Sequence, residues 1–342
     1  MLVVPFQALD LDDVALVGGK SAHLGDLIQA GFPVPPGFAV TTRAFDAVVA
    51  ERVDELVAGI DPEDVAGLEA KAEHVRAVVE ELEVPAEVAD AIRDGYGRLA
   101  AELGIEEPAV AARSSAVAED AADASFAGMQ STFLWLRGAD EALAGVRRCW
   151  ASYFNAEALA YRARHGGAAG MSVAVQFMVD ARVAGVMFTL NPVTGDRSSL
   201  AIDASYGLGV TVVGGEVTPD SYLWSKVGRE LVRSQVGTKE LECVVDPAGG
   251  GTVVREVPEE LRERLCLEPA EVARLAELGR EVERHYGRPQ DIEWAIDRAT
   301  GETFLLQARP ETVWTPKRAA AETASTTDRI AAMYLKGSRI KL

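Results

Sequence analysis

The sequence predicts a mixed α/β (α+β) protein, and three observations carry that expectation. Short runs of β-forming residues bounded by Gly, Pro and polar residues recur at 109–115, 173–179, 184–189 and 200–204. An Ala/Glu/Val-rich stretch from about 43 to 104 has helical periodicity, interrupted near Asp61-Pro62 and at Pro85. Two apolar runs, 291–296 and 303–310, flank Asp297-Arg298-Ala299-Thr300-Gly301 and read as a β-hairpin. A chain of 342 residues, 48% of them hydrophobic, is long enough for two domains or for one large domain with subdomains.

Taken in order, the first 45 residues mix apolar runs with Gly and Pro punctuation. Gly18-Gly19-Lys20-Ser21 precedes an apolar-periodic stretch (Leu24, Leu27, Ile28), which makes Ser21 a candidate helix cap. Gly31-Phe-Pro-Val-Pro-Pro-Gly37 ends that helix, and a short strand follows at 38–40. Beyond the helical stretch, a buried-type strand runs into Arg113-Ser114-Ser115, followed by a small-residue loop through Gly128 to Thr132. Residues 139–166 read as helical, and 173–179 and 184–189 as two strands joined by a short turn. Residues 206–209 and 214–215 read as loops, and 259–286 as one or two helices with Pro269 as the break. Residues 316–342 carry no core pattern and read as a tail or linker.

The closing hairpin carries the densest chemistry. A turn centred near residue 300 sets Glu293 beside Gln307, and alternation along the strand puts Gln307 and Arg309 on one face. Carboxylate and amide oxygens are hard ligands of the kind Mg²⁺ takes, and a guanidinium suits a phosphate bidentately. The same residues would equally serve as a surface hairpin with a cross-strand ion pair. Gly18-Gly19-Lys20-Ser21 is not a P-loop, because that motif needs Gly six residues before the Lys and the position holds Val14. It still offers backbone N–H groups and Lys20 to an anion, or simply a solvated loop lysine. Arg113 stands at the end of an apolar strand, where ligands bind in α/β proteins, or else pairs with Glu119 or Asp120.

Lys and Arg total 34 against 53 Asp and Glu, a formal charge of −19, which argues against nucleic acid and anionic membranes as partners. The three cysteines are far apart and without metal spacing, so a reduced, cytoplasmic setting is expected. Neither a signal peptide nor a membrane-spanning run is read. The four histidines are scattered. His74 and His285 lie in charged helices and read as surface residues. No nucleophile motif supports acyl transfer.

Several longer segments share an order with a known family. They are Val17-Gly-Gly-Lys20-Ser-Ala-His-Leu-Gly25, Gly31-Phe-Pro-Val-Pro-Pro-Gly-Phe-Ala-Val-Thr-Thr42 and Ala112-Arg113-Ser-Ser-Ala-Val-Ala-Glu-Asp120. Asp123-Ala-Ser-Phe-Ala-Gly128-Met-Gln-Ser-Thr132, Ala184-Gly-Val-Met-Phe188, Tyr206-Gly-Leu-Gly209 and Val217-Thr-Pro-Asp220 follow, and the closing hairpin completes the set. Together they resemble the N-terminal nucleotide-binding domain of the phosphoenolpyruvate synthase, pyruvate phosphate dikinase and rifampicin phosphotransferase superfamily, across residues 1–315.

The resemblance implies an ATP-grasp-like nucleotide-binding fold with a helical subdomain, holding ATP between two parts. These would be 1–195, with the helical insertion at about 43–104, and 196–315 with the closing hairpin. It implies that Lys20 and Arg113 meet phosphate, that Gly128 and Thr132 cover it, and that Gln176 runs beside the adenine. Glu293 and Gln307 would hold Mg²⁺, and Arg309 would clamp the phosphates. It further implies cleavage of ATP towards AMP, with the β-phosphate passing to a histidine. No Thr/Ser-His-Ala-type motif surrounds any histidine here, so the acceptor is expected on another domain or chain. That would suit a split enzyme of the phenylphosphate synthase-like kind, or part of a synthase or antibiotic phosphotransferase. The final small-molecule acceptor would then be chosen outside this chain. The rival expectations are a non-catalytic nucleotide-binding regulatory module and an ATP-grasp ligase that forms ADP. One local departure is Val210, where the family often has Glu.

Overall fold

Two antiparallel sheets and their helices account for most of the chain in a computed structural model, which describes residues 1–57, 61, 64–116, 131–165 and 170–314. β1 (Val3–Pro5), α1 (Val14–Gln29) and β2 (Gly37–Val40) lead into α2 (Thr42–Phe45), a π-helical turn at Asp46–Ala50, and α3 (Glu51–Val57). α4 (Val65–Glu81), α5 (Ala86–Leu103), β3 (Val110–Ala116), β4 (Thr132–Leu136), α6 (Ala139–Ser152), α7 (Ala156–His165) and β5 (Met171–Phe177) follow. The second part runs β6 (Ala181–Phe188), β7 (Ser199–Tyr206), α8 (Val210–Val213), β8 (Asp220–Ser225), β9 (Glu230–Gln235), β10 (Leu241–Val245) and β11 (Thr252–Glu256). It closes with α9 (Glu259–Arg262), α10 (Pro269–Tyr286) and the hairpin of β12 (Gln290–Asp297) and β13 (Thr303–Pro310).

The first sheet has the order β1-β2-β5-β3-β4 and the second β13-β12-β6-β7-β8-β9, while β10 and β11 form a separate ribbon. Period-2 alternation decides what each face of the first sheet meets. Val173, Val175, Val110 and Ala112 point into the core built by the helices, among them Val75, Ile92, Val146 and Trp150. Ala174 and Ala39, one residue out of phase, pack beneath α1 with Val17, Ala22 and Leu24. In the second sheet Ile292, Trp294, Ile296 and Leu305 face α10, whose Val272, Leu275, Ala276 and Val282 are buried against them.

Helix boundaries follow local chemistry. Asp64 caps α4 by accepting from the Gly67 N–H. α5 stops at Gly104, which takes the left-handed conformation with φ 66°. α10 starts with Pro269 in its first turn and a capping box between Glu268 and Glu271.

The structure differs from the sequence reading in three places. Ser21 is not a helix cap: it lies buried inside α1, because the break in the helix falls earlier, at Gly18 with φ 70° and ψ 164°. The strands read at 173–179 and 184–189 are not neighbours, for β5 joins the first sheet and β6 the second. The chain passes from the first sheet to the second at 178–180. β8 to β11 had no counterpart in the reading. Residues 316–342 and Gly128 lie outside the described residues. The three cysteines are buried and unpaired, and burial pushes the Cys149 thiol up to about 12, so it stays protonated at neutral pH.

Gly18 is required by space as well as by dihedral. A Cβ there would stand 2.3 Å from Ser115 Oγ and 2.5 Å from the Ser115 carbonyl oxygen. Gly18→Ala is expected to lower the unfolding free energy by about 2 kcal/mol or more, read from urea denaturation midpoints. Gly97, a helical glycine of α5 with open space where its Cβ would stand, supplies the opposite sign. Gly97→Ala should stabilise by about 0.5–1 kcal/mol in the same assay.

Candidate functional site

A cavity of about 380 Å³ opens between the two sheets. Its walls come from β3, β4 and β5 on one side, β6, β12 and β13 on the other, and the α8 turn at the rim. Ala111, Leu134, Phe177, Met178, Val179, Ala184, Leu208 and Leu306 make it largely apolar. Charged groups are confined to Arg113 and Glu293, with Glu216 beside α8.

Arg113 reaches the cavity because it is out of phase with Val110 and Ala112, which point into the helical core. Its Nη2 donates to Glu293 Oε2 at 2.5 Å and its Nη1 to the Leu306 carbonyl at 3.2 Å. The two side chains are only 13% and 23% exposed. The pair therefore ties the first sheet to the second inside a shielded space. Lys20, buried on α1, donates to the Ser114 carbonyl at 2.8 Å. Burial pushes the Glu293 carboxyl up, yet the Arg113 guanidinium, with Lys20 and Arg309 beyond it, outweighs burial and holds it below the usual glutamate range.

The hairpin pairs Glu293 with Gln307, as read from the sequence, but not by a constant sum of partner numbers. Trp294 pairs with Leu305 and Glu293 with Gln307, so Leu306 is an extra residue in β13. This bulge turns Gln307 onto the cavity face, whereas Leu305 before it and Ala308 after it join the α10 core. Gln307 is buried, and its Oε1 has no hydrogen-bond partner among the described residues. An orphaned acceptor beside an ionised carboxylate is a donor set suited to a hard cation completed by ligand oxygens. No cluster of three or more His, Cys, Asp or Glu capable of holding a metal occurs among the described residues.

The remaining expected residues divide. Thr132 is the register partner of Arg113 and lines the cavity. Gln176 lines it too, and its Nε2 donates to the Pro35 carbonyl at 3.3 Å. Arg309 stands at the outer edge: its side chain is 58% exposed and its Nε lies 3.4 Å from Asp291 Oδ2. Burial raises the Asp291 carboxyl, and the Arg309 charge only partly offsets it. The alternative partners for Arg113 at Glu119 and Asp120 lie outside the described residues. Met178, Val179, Val210, Val213 and Glu216 were missed as cavity residues. Their apolar or turn character reads as ordinary core and loop until the second sheet closes over the first. None of the described histidine side chains, His23, His74 and His285, lines the cavity. Among the described residues no helix is long and apolar enough to cross a membrane.

A lowered Glu293 carboxyl has a definite consequence for stability. The contribution of its pair with Arg113 is complete above the unfolded glutamate value of about 4.3 and fades as the pH falls through the lower folded value. Glu293→Gln should flatten the part of the stability–pH curve below about pH 5. Urea midpoints from pH 3 to 7 for both proteins test this, and parallel curves would remove Glu293 from the acid response.

The family described as pyruvate phosphate dikinase, AMP/ATP-binding domain, matches residues 14–329. A protein named "Probable phosphoenolpyruvate synthase" from Methanothermobacter thermautotrophicus is 44% identical over 315 residues, covering 90% of this chain and 45% of its own. The phosphoenolpyruvate synthase of Pyrococcus furiosus is 38% identical over 377 residues, covering 97% of this chain and 46% of its own. That of Aeropyrum pernix is 38% identical over 359 residues, with 94% and 43% covered. The chain thus spans a little under half the length of these relatives. Among solved structures, D-alanyl-alanine synthetase A of Vibrio cholerae aligns with a TM-score of 0.27 and 10% identity over 72% of this chain and 56% of that one. That likeness is too distant to bear on the fold.

Proposed function

The chain belongs to the family of the pyruvate phosphate dikinase AMP/ATP-binding domain, and from that premise we propose that it binds Mg·ATP between its two sheets and cleaves it towards AMP. The observation that carries this reading is the division of the cavity. Apolar walls of Met178, Val179, Ala184 and Leu208 suit a base, while Arg113 and Glu293, with Lys20 and Gln307 close by, concentrate charge where phosphates would lie. In a protein of formal charge −19 such a concentration of cations is what a polyanion requires.

The proposed roles follow from the donors. Arg113 presents a guanidinium fork to phosphate oxygens, and Lys20 adds a point charge from α1. Thr132 contributes a hydroxyl from the strand beside Arg113, and Gly128 a backbone N–H that a side chain would not obstruct. Gln176 lies beside the base. Arg309, outside the cavity and paired with Asp291, would fold in over the phosphates. Glu293 and Gln307 would hold the magnesium ion, which when bound neutralises phosphate charge and aligns the transferring group. The fold class this implies is ATP-grasp-like. Phosphoryl transfer asks the protein for position and charge more than for covalent chemistry, and the side chains here offer those.

The acceptor in this proposal is a histidine on another domain or chain. A longer synthase-type protein and a split enzyme with a separate phosphohistidine subunit both satisfy it. The experiment is to mix the chain with ATP and Mg²⁺, with and without a histidine-domain partner, and to follow the adenine nucleotides. AMP that appears only with the partner is the expected result. ADP would instead identify a ligase-type reaction, and bound but uncleaved ATP under every partnered condition a regulatory module. Because Arg309 is exposed, Arg309→Ala should leave the fold intact. It should slow AMP formation roughly 30- to 1,000-fold, about 2–4 kcal/mol in the transition state. Wild-type rates in that variant would take Arg309 out of the site.

A further inference from the structure

Three features of the hairpin wall do not follow from phosphate binding alone. Glu293, the carboxylate best placed to take a metal, already has a cation on it: Arg113 Nη2 lies 2.5 Å from Oε2. Arg113 also has an unspent donor, for its Nε is buried without a hydrogen-bond partner among the described residues. Gln307 Oε1, next to Glu293 in the ladder, is a buried acceptor in the same position. The wall therefore holds one ion pair, one idle donor and one idle acceptor within a few side chains of each other.

We propose that Arg113 is a positioning residue that keeps Glu293 occupied until a triphosphate draws the guanidinium away, so that metal enters after, or together with, the nucleotide. A divalent metal needs direct contact with its oxygen ligands, at about 2.0–2.1 Å for Mg²⁺, and a guanidinium bonded to Oε2 competes for that oxygen. Arg113, Lys20 and Arg309 already act on Glu293 with positive charge. Adding a divalent cation to that neighbourhood is unfavourable until the negative charge of a triphosphate arrives. The triphosphate also supplies what Arg113 lacks, since a planar fork with an idle Nε pairs with phosphate oxygens through two donors at once. As Arg113 turns to phosphate, Glu293 is released beside the waiting Gln307 oxygen. The movement is one side chain exchanging partners. It makes nucleotide and metal binding mutually supportive, each strengthening the other by the same factor.

This inference rests on the Mg·ATP reading, and its test separates the two. Mn²⁺ is titrated into the full chain and free Mn²⁺ is followed by its paramagnetic resonance signal, with and without a non-hydrolysable ATP analogue, so no turnover is needed. In the wild type the analogue should tighten Mn²⁺ binding by about tenfold or more, within the usual range of coupling between sites. Arg113→Gln should bind Mn²⁺ several-fold more tightly than the wild type when no nucleotide is present, and should gain much less from the analogue. Arg113→Lys, which keeps a charge near Glu293, should restore weak metal binding in the absence of nucleotide. Glu293→Gln should lose the Mn²⁺ site with or without the analogue. If the wild type binds no Mn²⁺ even with the analogue, the Mg·ATP reading itself falls. If it binds Mn²⁺ equally with and without the analogue, or if folded Arg113→Gln binds free Mn²⁺ no better than the wild type, only the exchange falls. Circular dichroism verifies that the variants are folded, and the wild-type comparison stands without them.

Discussion

The bond between Arg113 and Glu293 joins residues 180 positions apart and brings the two sheets into one site. Each sheet is complete without it. The first is closed by helices on one face and α1 on the other, and the second by α10. What the pair adds is a fixed meeting point between the part of the first sheet that α1 leaves uncovered on its own face and the face of the second sheet turned away from α10. A shielded ion pair of this kind is weak evidence for stability, because desolvation takes back much of the attraction. Its value here is placement: it sets a guanidinium, a carboxylate and an amide oxygen around one end of an apolar cavity.

The second sheet has a different kind of buried pair. Lys239 and Asp220 are both fully buried, with Nζ 2.5 Å from Oδ1. Every remaining demand is met locally: Lys239 also donates to the Gly237 and Arg262 carbonyls, and Asp220 accepts from the Gly237 and Cys266 N–H groups. It is a satisfied network that ties β8 to the β9–β10 connection, to the last residue of α9 and to Cys266 beyond it. The Arg113 wall is its opposite. Among the described residues it leaves Arg113 Nε and Gln307 Oε1 without partners. Buried polar groups are normally paired, so these two atoms stay open to the donors and acceptors of a ligand.

Backbone irregularities make that wall possible. The Leu306 bulge inverts the phase of β13, so that Leu305 and Ala308 face α10 while Gln307 faces Glu293. Gly18 interrupts α1 where Ser115 presses against it, and the helix restarts with Lys20 directed at the Ser114 carbonyl. Gly185 lets β6 approach β7 beside the cavity, where a Cβ would fall 1.9 Å from the Asp203 carbonyl oxygen. Such departures from regular geometry concentrate where side chains must be re-aimed.

Most elements and several site residues were legible in the chain alone, because local chemistry determines them. Helical periodicity and Pro/Gly punctuation mark α4, α5 and α10. The turn residues around Asp297 and Gly301 mark the hairpin, and the spacing of Glu293, Gln307 and Arg309 marks its polar face. The exposed strands β9 and β11 were not legible, since pairing rather than burial makes them strands. Nor was the parting of β5 and β6 into different sheets, because a short connection reads alike whether it closes a hairpin or bridges two sheets. The sequence by itself determined which residues could bear charge and which strand faces were apolar. Only the tertiary structure decided that Arg113 faces Glu293, that Arg309 stays outside with Asp291, and that Met178, Leu208 and Glu216 share a cavity with Arg113 and Glu293. Those outcomes depend on contacts between segments far apart in the chain, and local pattern carries no information about such distances.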